Sequence, residues 1–209
     1  MARMLGAKAG FAAIFAVLVS SSSAFTASPQ ALSQTLSMQT GGITSQPIGH
    51  YEFCEATPSE CRAGVRGRAA AKVTAYGWEV VREVNASVNR AITPMTDKDL
   101  YGRDEFWTYP AEAGDCEDFV LLKRRKLMEK GFAAGDLLIT VVRKPDGEGH
   151  AVLTLATTEG DFILDNLNDE VKPWTATPYR YLKRQASFHA GRWVSIENSD
   201  AMMVSSVGK

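Results

Sequence analysis

Cys116, His150 and Asp165 follow one another along the chain as a thiol, an imidazole and a carboxylate. Three such groups can run acyl transfer. The thiolate attacks a carbonyl carbon, the imidazole takes the thiol proton and later returns it to the leaving group, and the carboxylate holds the imidazole in the tautomer that can do so. Two other histidines compete for the role of base: His50 lies in an irregular stretch, and His189 has no obvious acidic neighbour. Taken singly, each residue also has an ordinary reading. Cys116 can be a small buried hydrophobe, His150 a strand-edge residue with a satisfied hydrogen bond, and Asp165 a turn former ahead of Asn166. The choice depends on whether the elements bring the three together.

Asp115–Glu129 reads as a helix, with Asp115 at the N-cap, Asp118 three residues on to close a capping box, and Gly131 to end it. Cys116 then lies in the first turn, where unpaired amides favour a thiolate, on one face with Val120 and Leu127. The run Lys123-Arg124-Arg125-Lys126 reads as the solvated side of this helix. Beyond it the period switches to strands at Leu137–Arg143, His150–Ala156 and Phe162–Asp165, separated by Pro145-Asp146-Gly147 and Glu159-Gly160 turns. In such an antiparallel meander His150 opens one strand and Asp165 closes the next, so both come to one end of the sheet. A fourth strand is expected near Tyr179–Lys183 or Phe188–Val194. Upstream, apolar residues from Val73 to Ile92 recur at helical steps within Gly67–Ile92, and the segment Thr93–Gly114 is more loop than element. Helices first and antiparallel sheet second make an α+β fold.

Composition narrows the classes. The 209 residues are 45% hydrophobic and 22% charged, as in one globular domain. Lys+Arg 23 against Asp+Glu 24 gives no basic excess of the kind that holds nucleic acid. Three cysteines without a CxxC pair argue against structural zinc and a disulfide-built scaffold. Residues 1–24 read as a secretory signal: Arg3 and Lys8, then the apolar run Gly10–Val19, then Ser22-Ser23-Ala24 at a cleavage site. That run is well short of the ~20 residues a membrane-spanning helix needs, so no permanent span is expected after cleavage. Loss of Arg3 and Lys8 takes the basic count from 23 to 21 against 24 acids, a net charge of −3. Export into an oxidising compartment lets Cys54 and Cys61 close into a disulfide across a Thr57-Pro58-Ser59 turn and leaves Cys116 free. Residues 25–48 read as a loosely attached arm, 49–197 as the domain and 198–209 as a frayed end. The sequon Asn85-Ala86-Ser87 reads as a chance match.

The acids beside Cys116 pose a physical problem. Asp115, Glu117 and Asp118 oppose the ionisation of a thiol within the same turn, and helix capping or a bound hard cation such as Ca²⁺ would offset them. No EF-hand-like loop is present.

Several motifs, in order, resemble one family. Gly114-Asp115-Cys116-Glu117-Asp118-Phe119, Gly149-His150-Ala151-Val152-Leu153 and Gly160-Asp161-Phe162-Ile163-Leu164-Asp165-Asn166-Leu167 are similar to the bacterial transglutaminase-like cysteine proteinases. Upstream, Val84-Asn85, Val88-Asn89, Thr96-Asp97, Tyr101-Gly102, Asp104, Trp107 and Pro110 agree with the same pattern, so the resemblance runs from Tyr51 to Trp193. It implies a papain-like or transglutaminase-like core with Cys116 as nucleophile, His150 as general base and acid, and Asp165 as orienting group. It further implies a periplasmic endopeptidase that depends on Ca²⁺ held by Asp115 and Glu117. Relatives cut large surface adhesins and are restrained by an inner-membrane receptor for a cyclic dinucleotide. The same triad would also serve transfer of the acyl group to an amine or hydrolysis of peptidoglycan, and a calcium-responsive binding module with a vestigial site remains a further alternative.

Overall fold

A computed structural model describes Met1, residues 36–64 and residues 69–197. Apart from Met1, the expected signal segment, residues 25–35 of the expected arm and the expected frayed end at 198–209 lie outside the described residues. In chain order the elements are strand β1 (Thr40–Thr44), helices α1 (Ile48–Ala56) and α2 (Ala75–Ala91), the two-residue strand β2 (Thr93–Pro94), helix α3 (Asp97–Tyr101), the two-residue strand β3 (Ala113–Gly114) and helix α4 (Cys116–Glu129). Six strands follow: β4 (Leu137–Arg143), β5 (Gly149–Thr157), β6 (Gly160–Asp165), β7 (Asn168–Pro173), β8 (Arg180–Ala186) and β9 (His189–Ile196). Seven strands form one antiparallel sheet in the order β1-β9-β8-β4-β5-β6-β7. The fold is α+β.

Helix α2 begins where Thr74 Oγ1 accepts the Gly77 amide at 3.1 Å, a side-chain N-cap. Its Val81, Val84 and Val88 are buried at helical spacing and pack with Phe119, Val120 and Leu127 of α4 against Leu137, Ile139, Leu153 and Leu155 of the sheet. The other face of the sheet is covered too, by Met38, Trp174, Tyr181 and Ile196 on Val142, Val152 and Ile163. Burial on both faces accounts for the nearly continuous apolar run of β5.

Three expectations change. The arm is not loose over residues 36–48: Met38 is buried, its amide donates to Asp161 at 2.8 Å, and β1 pairs with β9. Gly160, at φ +123°, lies so close to Leu36 that a Cβ would come within 2.7 Å of its carbonyl oxygen. One buried apolar side chain, the ladder with β9 and hydrogen bonds to the Asp161 and Trp174 side chains hold this segment, and composition reveals none of them. The basic run of α4 is not all solvated, because Lys123 and Arg124 are buried while Arg125 and Lys126 are exposed. Arg124 Nε donates to the Leu137 carbonyl at 3.0 Å, and its Nη1 lies 3.6 Å from Glu60. Both late segments named for a fourth strand are strands, as β8 and β9, and β7 joins the far edge. Cys54 and Cys61 form a disulfide that fastens the end of α1 to the following turn, and Cys116 is free. Asn85 is wholly buried and donates to the carbonyls of Asn168 and Asp169 at 3.0 Å, so the sequon is no glycosylation site in the folded chain.

His50 belongs to α1, where its ring meets Trp107 and Trp193 edge-on, each at 5.3 Å. Burial, helped by the Arg124 charge, pushes its pKa from 6.5 down to about 3. Between these values the unfolded chain binds a proton that the folded chain refuses, so stability falls as pH drops below 6.5. Urea unfolding across this window is expected to show that loss in the wild type and a flatter dependence in His50→Asn. An equal slope in both would remove His50 as its cause.

Candidate active site

Cys116 is the first residue of α4, with Asp115 as N-cap in extended conformation. The expected capping box forms by one half only. Asp118 accepts the backbone amides of Thr108, at 2.9 Å, and Asp115, whereas the Asp115 side chain makes no capping hydrogen bond and instead receives the Asp97 amide at 3.4 Å. The helix thus delivers Cys116 to the start of β5, where the Ala151 amide donates to its sulfur at 3.3 Å.

The sheet supplies the other two groups. Leu153 stands opposite Leu164 in the β5–β6 register, and one further step puts Asp165 on the diagonal from His150 on the same face. Nε2 of His150 and Oδ1 of Asp165 lie 2.9 Å apart, both side chains buried. Nδ1 is then the imidazole nitrogen left for the thiol. Asp165 also receives the Leu167 amide at 3.0 Å and, on its other oxygen, the Tyr179 hydroxyl at 2.5 Å. Burial would raise this carboxyl, but the hydrogen bonds from His150, Tyr179 and Leu167 outweigh it and hold the pKa below the usual value. His50 and His189 lie in α1 and β9, with no part in this pair.

Cys116, Glu117, His150, Glu105, Trp107 and Lys183 line a cleft of about 540 Å³. Trp107 forms one wall. Its indole nitrogen donates to Glu105 at 3.0 Å, and its ring presses on Gly49 so tightly that a Cβ there would come within 2.3 Å. Asp97, Asp115 and Glu117 each place a carboxylate oxygen within 4.8 Å of the others. One oxygen each of Asp97, Asp115 and the neighbouring Asp118 is buried without a hydrogen-bond partner. Hard oxygen donors left unsatisfied in this way suit a hard cation. The electrostatics agree: burial and then the Glu117 charge push the Cys116 thiol well up, burial and then Asp115 push Glu117 up, and Asp118 rises to about 7, chiefly by burial. The thiol itself donates to Glu117 at 3.1 Å.

The family model for bacterial transglutaminase-like cysteine proteinases matches residues 40–201. The chain belongs to this family. It is therefore a transglutaminase-like cysteine peptidase. Solved structures similar to it are those of Legionella pneumophila LapG. An EGTA-treated form is 26% identical over 61% of this chain and 78% of that one, with a TM-score of 0.49, and a second form is 26% identical over 61% and 76%, at 0.48. A calcium-bound form is 22% identical over 85% and 96%, at 0.48. No curated protein matches the sequence.

The residues expected from sequence lie close together: Cys116, Glu117 and His150 line one cleft, Asp165 bonds to His150 from outside that lining, and Asp115 adjoins Glu117. The sequence does not single out Asp97 or Tyr179 as site residues, because only tertiary contact distinguishes one acid among several in its segment and a phenol just before a strand. Tyr179→Phe removes one of the hydrogen bonds that keep Asp165 ionised. Asp165 contributes stability above its unfolded pKa and loses it as pH falls through the lower folded value. The variant is expected to lose about 1.5–3 kcal/mol near neutral pH in denaturant unfolding, as a hydrogen bond to a charged group predicts. An unchanged stability would show that the phenol adds nothing to Asp165.

Proposed function

We propose that the protein is an exported, periplasmic cysteine endopeptidase in which Cys116 is the nucleophile, His150 the general base and then acid, and Asp165 the group that orients the imidazole. The observation that supports this reading is that the one free cysteine and His150 line the same cleft, with His150 held from behind by its buried bond to Asp165. Nδ1 of His150 takes the thiol proton, and the sulfur bonds to the scissile carbonyl carbon. The Cys116 backbone amide, unpaired at the helix start, donates to the developing oxyanion. Collapse breaks the C–N bond as the imidazolium protonates the leaving amine, giving a thioester. Water attacks next, its proton passing to His150 and then to the departing sulfur.

Asp115 and Glu117, joined by Asp97, would hold a calcium ion beside this centre. Its charge, when bound, would offset the crowded carboxylates around Cys116 and so favour the thiolate. The orphaned oxygens of Asp97 and Asp115 and the lack of a side-chain cap from Asp115 both support metal holding over capping. No helix among the described residues is long and apolar enough to cross a membrane. The family resemblance makes a large surface adhesin the first substrate to try and an inner-membrane cyclic-dinucleotide receptor the first regulator.

Cys116→Ala and His150→Ala are each expected to abolish peptide-bond cleavage in a protein that still folds, with Asp165→Asn impaired less because an amide can orient the imidazole. Cleavage at the wild-type rate by folded Cys116→Ala would sink the assignment. Product analysis separates hydrolysed ends from the isopeptide bonds of a transferase and the muropeptides of a wall hydrolase.

For the metal, chelation should lower melting temperature and activity together, since a ligand of the folded state stabilises by mass action. Asp115→Ala and Asp97→Asn should mimic the chelator. A metal-stripped protein that gives no calcium heat in calorimetric titration and keeps full activity would leave these acids without a metal role.

A further inference from the structure

Lys123 stands one helical turn beyond Phe119 on α4, wholly buried, its ammonium 5.9 Å from the Phe119 ring centre. A cation in such a place is costly unless anions face it. Its Nζ has no hydrogen-bond partner among the described residues. The charged groups acting on it are Asp165 of β6, the larger, and Asp169 of β7. The turn between these strands is tied down from the facing helix α2, which packs on both α4 and β7. Asn89 Nδ2 donates to the Asp165 carbonyl at 3.0 Å and to Asp169 Oδ1 at 2.7 Å, and Asn85 Nδ2 donates to the carbonyls of Asn168 and Asp169. The other atom of each amide, Oδ1 of Asn85 and of Asn89, is buried without a partner, as is the Lys123 ammonium. A lone donor and two lone acceptors therefore lie on facing helices beside the strand turn that carries Asp165.

We infer that Lys123 is a positioning residue of the peptidase, a buried cation that acts through Asp165 to set the proton affinity of His150. This rests on the triad assignment above. Burial lowers the Lys123 pKa to about 7 against the pull of Asp165 and Asp169, so the group is cationic over the acid range in which an imidazole titrates. There the two carboxylates draw it inward, and its field adds to the hydrogen bonds that keep Asp165 ionised and disfavours a second positive charge on the imidazole beside it.

The experiment compares wild type, Lys123→Met, Lys123→Gln and Lys123→Arg for the acid limb of the kcat/KM pH profile at fixed calcium, and for the His150 imidazole titration by NMR. Removal of the charge is expected to move both to higher pH by roughly half a unit, with kcat/KM on the acid limb falling about threefold. Lys123→Arg should keep the wild-type limb. A core-packing role would change melting temperature alone. If Lys123→Met does not fold, Lys123→Gln carries the same expectation. An unmoved limb and imidazole titration in a folded, uncharged variant overturn the inference. That result leaves the triad intact, because loss of cleavage in Cys116→Ala is a separate observation.

Discussion

A thiol that must ionise is set among carboxylates, and most of the local structure answers that conflict. Asp115 and Glu117 flank Cys116, Asp118 lies one residue further on, and Asp97 is brought in by α3. Burial strengthens each repulsion, so the Cys116 thiol, Glu117, Asp118 and Asp97 are pushed toward their protonated forms. The chain answers with backbone donors: Phe106 and Thr108 serve Asp97 and Asp118, and Ala151 serves the sulfur. The orphaned carboxylate oxygens that remain are where, on the proposed reading, a divalent cation would complete the set.

The elements that carry the proposed triad are stationed around this turn. Helix α4 packs on β5, so the Cys116 sulfur meets the strand at Ala151, next to His150. The register of β5 and β6 turns a sequence separation of 15 residues into a 2.9 Å contact between His150 and Asp165. Tyr179, arriving just before β8, closes the carboxylate from its other side. Trp107 binds the acidic loop to α1 by pressing on Gly49, and through His50 it touches the aromatic group under the sheet. The cleft is thus walled by segments that the Cys54–Cys61 disulfide and the hydrophobic core hold from behind.

Features governed by local pattern were readable before the fold. The valines of α2, the period switch at Leu137 and the Pro145-Asp146-Gly147 turn place the helices and the meander, and the meander alone brings His150 and Asp165 to one end. The cysteine pairing was readable from spacing and compartment. Residues whose roles are set by what lies across space were not. Met38 and β1 anchor a segment whose composition is polar, because one buried side chain and a backbone ladder suffice. Lys123 and Arg124 belong to a basic run that usually faces water, yet α4 packs on both α2 and β5 and leaves only Arg125 and Lys126 of that run exposed. Asp97 is one acid among many in its loop until folding brings it to Asp115.

The central claim is that Cys116 carries the acyl group. Titration of the native protein with a thiol-directed peptide electrophile, with adduct mapping by mass spectrometry and residual cleavage measured on the same samples, tests it most directly. The account predicts one adduct per chain, on Cys116, with activity falling in direct proportion to its formation. Protein fully modified at Cys116 that still cleaves its substrate would contradict it.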